Sequence, residues 1–153
     1  MADTGGDRLG ARNHDGSVVI VAADGLVFNR LCLKSVLLNT ADVDIELVVV
    51  DNGSTDGTRD YLAALAEQDP RIRVVQNDEN RGFGPAVNQG LNAATGDILV
   101  VLNNDTIVPP GWLGALSKHL ERAEIGWSDR RQTAAATKRK SKAPIALTVR
   151  WCS

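Results

Sequence analysis

At 153 residues with 43% hydrophobic composition, the chain holds enough apolar material for one modest core and not for two. No apolar run approaches the roughly 20 residues of a membrane span, and residues 1–16 lack a signal peptide's apolar stretch, so the expected compartment is the cytoplasm. The net charge of −2 is unevenly divided: from Asp129 onward seven basic side chains face that single acid, a balance of +6 that leaves −8 on the remainder. An acidic body argues against nucleic acid as a partner, although the basic run Lys138–Lys142 taken alone suits either a nucleic-acid arm or a solvated tail. Cys32 and Cys152 show neither disulfide nor metal-site spacing.

In chain order, residues 1–16 are polar, Gly-rich and without periodicity, which predicts a disordered leader. The β-branched run 17–22 predicts a first strand, Asp24-Gly25 a turn, and 30–39 a helix with apolar residues at helical spacing. The unit then repeats. A buried-type strand is expected over 45–50, a turn-rich loop DNGSTDGT after it, and an amphipathic helix over 59–68 that stops before Pro70. A third strand follows at 72–77. Pro85 suits the first turn of a helix over 85–94, because its missing N–H has no helical partner to lose there. A fourth strand is expected over 97–104, and a last helix from Pro110 carries Trp112, Leu113, Leu116 and Leu120 toward the core. Strands alternating with helices predict an α/β, doubly wound and mostly parallel sheet. Ligands of such sheets bind outside the carboxyl ends of the strands, so chemistry is expected in the loops after Val21, Val50 and Leu102.

Each of those loops brings an acidic or amide side chain to one rim: Asp24, then Asp51 and Asn52, then Asn103, Asn104 and Asp105. Asp and Asn are also ordinary turn formers, and a single such loop would need no other explanation. Gly82-Phe83-Gly84 is a poor dinucleotide fingerprint, since Val87 stands where a third glycine belongs.

The stretches VVIVAADGL, LVVVDNGSTDGT, NRGFGPAVNQG and GDILVVLNNDTIVPPGWL resemble, in order, the successive motifs of family 2 glycosyltransferases across residues 17 to about 125. The resemblance implies a GT-A, Rossmann-like fold, a nucleotide-diphosphate sugar as donor, a divalent cation (Mg²⁺ or Mn²⁺), and transfer to an acceptor hydroxyl. It implies Asp105 as metal ligand, at the last position of a DXD-like Asn103-Asn104-Asp105, with Asn103 at the position that often holds the first Asp. It implies Asp51 as acceptor from the nucleobase, Asp24 close to base or ribose, and Asn52, Asn80, Gly82, Asn88 and Asn104 around the donor. Ala22 and Ala23 depart from the family's usual Thr and aromatic residue, so a stacking surface for the base is expected to be missing there. A divalent ion also suits the physics, because a diphosphate approaching a body of charge −8 needs its own charge bridged.

The domain expectation is therefore a leader over 1–16, a partial nucleotide-sugar-binding domain over 17–126, and a basic tail over 127–153 expected to be disordered. No residue after Gly126 resembles the family's acceptor half or its general base, and no catalytic base is assigned. Read one base earlier from Trp127, permitted codons give L-V-G-P-(A/T)-T-N, a family-like segment. The expectation is a lost base near codon 126 and a truncated domain, against a genuine basic extension as the alternative. Two functions stay open: a sugar transferase, or an inactive remnant that binds nucleotide and metal.

Overall fold

The computed structural model describes residues 14–41, 43–96 and 98–122, together with the backbone of 136–138 and 148–149. Four strands, β1 (Gly16–Ala22), β2 (Ile45–Asn52), β3 (Ile72–Asn77) and β4 (Ile98–Asn103), alternate with helices α1 (Leu26–Asn39), α2 (Thr58–Gln68), α3 (Phe83–Ala93) and α4 (Trp112–Arg122). The four strands are parallel in the order β3-β2-β1-β4, so the doubly wound α/β expectation holds. Along the outer edge of β4 lie two short strands, β5 (Ala136–Lys138, antiparallel) and β6 (Thr148–Val149, parallel). They fall within the segment 127–153 that was expected to carry no element. The remainder of that segment is outside the described residues.

A parallel sheet covered on both faces needs strands that are apolar at every position, which is why β1 and β2 read as unbroken Val/Ile/Leu runs. Val18, Ile20, Leu47 and Val49 face one layer with Cys32 and Leu33 of α1, Leu62 of α2 and Leu113 of α4. Val19, Val48 and Val101 face α3 through Leu91, and Val21 and Val50 meet Ala86. Helix α3 rides so close to the sheet that a Cβ at Gly90 would come within 2.3 Å of the Val19 side chain.

Two boundaries differ from expectation for physical reasons. Helix α1 begins four residues before Arg30, because the N–H of Leu26 donates to Asp56 Oδ2 at 2.8 Å, a cap reached across 30 positions. Order begins before residue 17: the Asp15 N–H donates to the Asp44 carbonyl at 2.9 Å, and His14 Nδ1 lies 3.0 Å from Asp44 Oδ1.

The amino ends of the strands are locked by a buried carboxylate. Glu46, 3% exposed, accepts on Oε1 from the Ser17 hydroxyl at 2.6 Å, the Thr95 hydroxyl at 2.9 Å, the Gly96 N–H at 3.3 Å and the Thr95 N–H. Burial pushes its pKa up, but the hydrogen bonds from Ser17 and Thr95 outweigh that and hold it below the usual carboxylate range. A depressed folded pKa contributes stability that is present above the unfolded value of about 4.3 and lost as the pH falls through the folded value. Glu46→Gln is expected to cost about 1.5–3 kcal/mol at pH 7, with the gap to the unmodified protein closing below about pH 4. Urea unfolding across pH 3–7 measures it; a gap that widens in acid would contradict the assignment.

Candidate functional site

A cleft of about 550 Å³ opens at the carboxyl ends of the strands, where the chain leaves β1 toward β2 on one side and β4 lies on the other. Val21 and Ala23 come from the end of β1, and Asn52 from the end of β2. Asn80 and Phe83 come from the loop before α3 and its first residue, and Asn103, Asn104 and Asp105 from the end of β4.

The loop after β1 and the loop after β2 hold each other. Asp24, the one described non-glycine residue with positive φ (+50°), accepts the Thr55 N–H on Oδ1 at 2.7 Å, while its own N–H donates to the Ser54 hydroxyl at 3.0 Å. Asp56 returns the contact through the Leu26 N–H, and it also accepts the Thr58 N–H at 3.1 Å. Hydrogen bonding from Thr58 and then Leu26 holds the Asp56 carboxyl below its usual range. Beneath them Asn29, 1% exposed, donates to the Asp24 carbonyl at 2.7 Å and to the Thr58 hydroxyl at 3.1 Å. Its Oδ1 accepts from Asn104 Nδ2 at 2.7 Å, so one buried amide ties three loops together. Asp24 spends its carboxylate on this clamp and does not line the cleft.

On the other wall the strand alternation separates Asp51 from Asn52. Asp51 turns toward α2 with no solvent access; Oδ1 accepts the Ser54 N–H at 3.1 Å and Oδ2 pairs with Arg59 Nε at 2.9 Å. Arg59 also donates to the Asn77 carbonyl at 2.5 Å. The carboxylate expected at the nucleobase is thus enclosed between Ser54 and Arg59. Asn52 is the side chain of that pair on the cleft. Its Nδ2 donates to Asn80 Oδ1 at 2.9 Å and to the Gly82 carbonyl at 3.3 Å, and its Oδ1 accepts the Arg81 N–H at 3.1 Å. Behind it Asn77 donates to Asn52 Oδ1 at 3.0 Å and exchanges two hydrogen bonds with Gln89 of α3, at 2.8 and 2.9 Å. Gly53 permits this approach: its φ is +81°, and a Cβ there would stand 2.6 Å from the Glu79 carbonyl carbon. Asn88, by contrast, lies exposed on α3 and does not line the cleft.

At the end of β4, Asn103 has its backbone carbonyl engaged by the Thr106 N–H at 3.2 Å and by Cys32 Sγ at 3.4 Å. Burial pushes the Cys32 thiol up to about 12, so it is a core residue and not a nucleophile. Asp105 is exposed and, among the described residues, has no hydrogen-bonded or ion-paired partner. Among the described residues that line the cleft it is the only carboxylate. One free carboxylate beside two amides is a hard-oxygen donor set that fits a divalent ion completed by phosphate oxygens and water; it is too small for a cage built by protein alone. In agreement, no group of three or more His, Cys, Asp or Glu converges among the described residues.

Several residues that build this site were not singled out in the sequence. Asn29 carried a signal, an amide on the buried side of an apolar helix. Ser54, Asp56, Thr58, Asn77 and Gln89 carried none, because their partners lie between 12 and 30 positions away or depend on loop geometry.

Four parallel strands in the order β3-β2-β1-β4 with interleaved helices, and a cleft at the switch point of the sheet, have the layout of a GT-A fold. The family model described as glycosyl transferase family 2 matches residues 17–150, and the chain belongs to that family. The match runs on past Gly126, into the segment where no residue was expected to resemble the family. An uncharacterized glycosyltransferase of Haemophilus influenzae is 28% identical over 106 residues, 69% of this chain and 32% of that protein. The succinoglycan biosynthesis protein ExoO of Rhizobium meliloti is 43% identical over 82 residues, 54% of this chain and 22% of that protein. Among solved structures, the mannosyltransferase PcManGT from Pyrobaculum calidifontis, in complex with GDP-Man and Mn²⁺, superposes with a TM-score of 0.57 at 29% identity, covering 65% of this chain and 30% of that one. The chain thus spans about a third or less of the length of these proteins. No helix among the described residues is long and apolar enough to cross a membrane.

The clamp leads to a specific expectation. Asn29→Ala strips partners from the Asp24 carbonyl, Thr58 and Asn104 at once, and is expected to destabilise the fold by about 1–3 kcal/mol and to loosen the loops that it ties. Urea unfolding gives the first quantity, and backbone amide exchange at residues 24–26 and 103–105 gives the second. Unchanged exchange at those residues in Asn29→Ala would show that the amide does not hold them.

Proposed function

We propose that the cleft binds the nucleotide-diphosphate part of a sugar donor together with Mg²⁺ or Mn²⁺, and that the protein to which this domain belongs transfers that sugar to an acceptor hydroxyl. The observation that carries the reading is Asp105, an exposed carboxylate without a protein partner among the described residues, standing alone on an amide-lined cleft. Support also comes from PcManGT, which binds GDP-Man and Mn²⁺. The cytoplasm is the compartment proposed, and the acceptor is left open.

Asp105 would hold the ion, and Asn103, which lines the same cleft, would offer its amide beside it. Bound there, the ion would neutralise diphosphate charge and so favour departure of the nucleotide. The chain's own residues do the positioning. Asn52 and Asn80 form a wall whose geometry is fixed by Asn77 and Gln89, and Asn104 is fixed by Asn29. Gly82 closes that wall with backbone, its N–H donating to Asn80 Oδ1 at 2.9 Å.

Transfer to a hydroxyl also needs a base to take the acceptor's proton. Among the described cleft-lining residues, Asp105 is the only titratable group, and a carboxylate on a cation is a poor proton acceptor. That observation favours a second reading for residues 14–122 taken alone, namely binding of nucleotide and metal without transfer.

Calorimetry with UDP and GDP tests the proposal. Binding is expected with Mn²⁺ or Mg²⁺ and not in EDTA, and Asp105→Ala is expected to lose about tenfold or more in affinity, the loss of one charge-assisted contact. Equal affinity with and without metal, or an unaltered Asp105→Ala, would contradict it.

A further inference from the structure

We infer that Phe83 is the residue on which the nucleobase stacks, taking over a surface that the small side chain of Ala23 leaves open. The inference rests on the nucleotide-binding reading above and adds to it a contact from the opposite wall.

Phe83 is the first residue of α3, stands 51% exposed, and lines the same cleft as Ala23, Asn52 and Asn80. No other aromatic residue among those described lines it. Phe28 is exposed on α1, Tyr61 lies under the Arg30 guanidinium at 5.4 Å, and Trp112 packs against the core. An aromatic ring half in water is unfavourable unless something covers it, and a ring on the wall of a nucleotide-sized cleft is covered by a flat ligand.

The backbone just before the ring is held through both polar groups of Gly82. The Gly82 N–H donates to Asn80 Oδ1 at 2.9 Å, and the Gly82 carbonyl accepts from Asn52 Nδ2 and from the Ala86 N–H, both at 3.3 Å. Little backbone freedom is therefore left to lose when a base settles on the ring, which is the condition under which one aromatic contact counts fully. Stacking accepts any base because every base has a π face, so Phe83 supplies affinity for the nucleoside and leaves the choice of base to the polar groups at its edge.

The test is calorimetry of the full chain with Mn²⁺ against UDP, GDP and inorganic pyrophosphate. Phe83→Ala and Phe83→Leu are expected to weaken both nucleotides about tenfold to a hundredfold and to leave pyrophosphate unchanged, while Phe83→Tyr binds like the unmodified chain. Adding Ala23→Tyr to Phe83→Ala is expected to restore part of the lost affinity. In the unmodified complex the base protons shift upfield through the ring current, and in Phe83→Leu they do not. Nucleotide affinity untouched by Phe83→Ala overturns the stacking role alone. Equal loss for nucleotide and pyrophosphate also overturns it, by showing that Phe83 only supports the wall. If the unmodified chain binds pyrophosphate but neither nucleotide, or binds none of the three, the nucleotide reading itself falls and the stacking role with it.

Discussion

Everything at the carboxyl edge of this sheet depends on the satisfaction of backbone groups that neither helix nor strand can pair. Parallel strands end in loops, and helices α1 and α2 begin in those loops with unpaired N–H groups pointing out. The chain meets this need with side chains of the neighbouring loop: Asp24 serves Thr55, Asp56 serves Leu26, and the buried Asn29 serves Asp24 and Thr58 while accepting from Asn104. The positive φ of Asp24 is an unfavourable conformation for a side-chain-bearing residue, and the surrounding contacts keep it populated. Each loop supplies the partners of another, so the three strand ends that frame the cleft are tied to one another by side-chain hydrogen bonds.

Those ties explain how few side chains remain for chemistry. Of the carboxylates at the strand ends, Asp24 and Asp56 are committed to loop N–H groups and Asp51 to Arg59 and Ser54. Asp105 is the one left facing the cleft without a partner among the described residues. The opposite edge of the sheet uses the same device inwardly, with Glu46 enclosed by Ser17, Thr95 and Gly96. One pole is sealed by a satisfied charge, and the other displays an unsatisfied one where a cation and a diphosphate would supply the missing partners.

The architecture was legible because buried parallel strands write themselves as apolar runs: the four strands and their order of alternation with helices follow from 17–22, 45–50, 72–77 and 97–104. The same property hid the site's finer layout. When both faces of β2 are buried, periodicity does not say which of Asp51 and Asn52 looks toward α2 and which toward α3, and only the neighbours Arg59 and Asn77 decide it. The start of α1 was displaced by a cap from Asp56, a contact no local window contains. Phe83 read as part of a failed glycine fingerprint because its importance lies in what stands across the cleft, not in its sequence neighbours. The pairing of 136–138 and 148–149 with β4 was likewise illegible, since two- and three-residue strands carry no period.

The central claim is that the three loops form one nucleotide-metal cleft, and paramagnetic broadening by Mn²⁺ tests it most directly. With UDP or GDP present, substoichiometric Mn²⁺ should broaden the backbone amides of Asn103 to Thr106 most strongly, and the side-chain amides of Asn52 and Asn80 more weakly, while the region around Glu46 at the far pole stays sharp. Broadening centred on Asp24 and Asp56, or spread evenly over the acidic surface, would contradict the account.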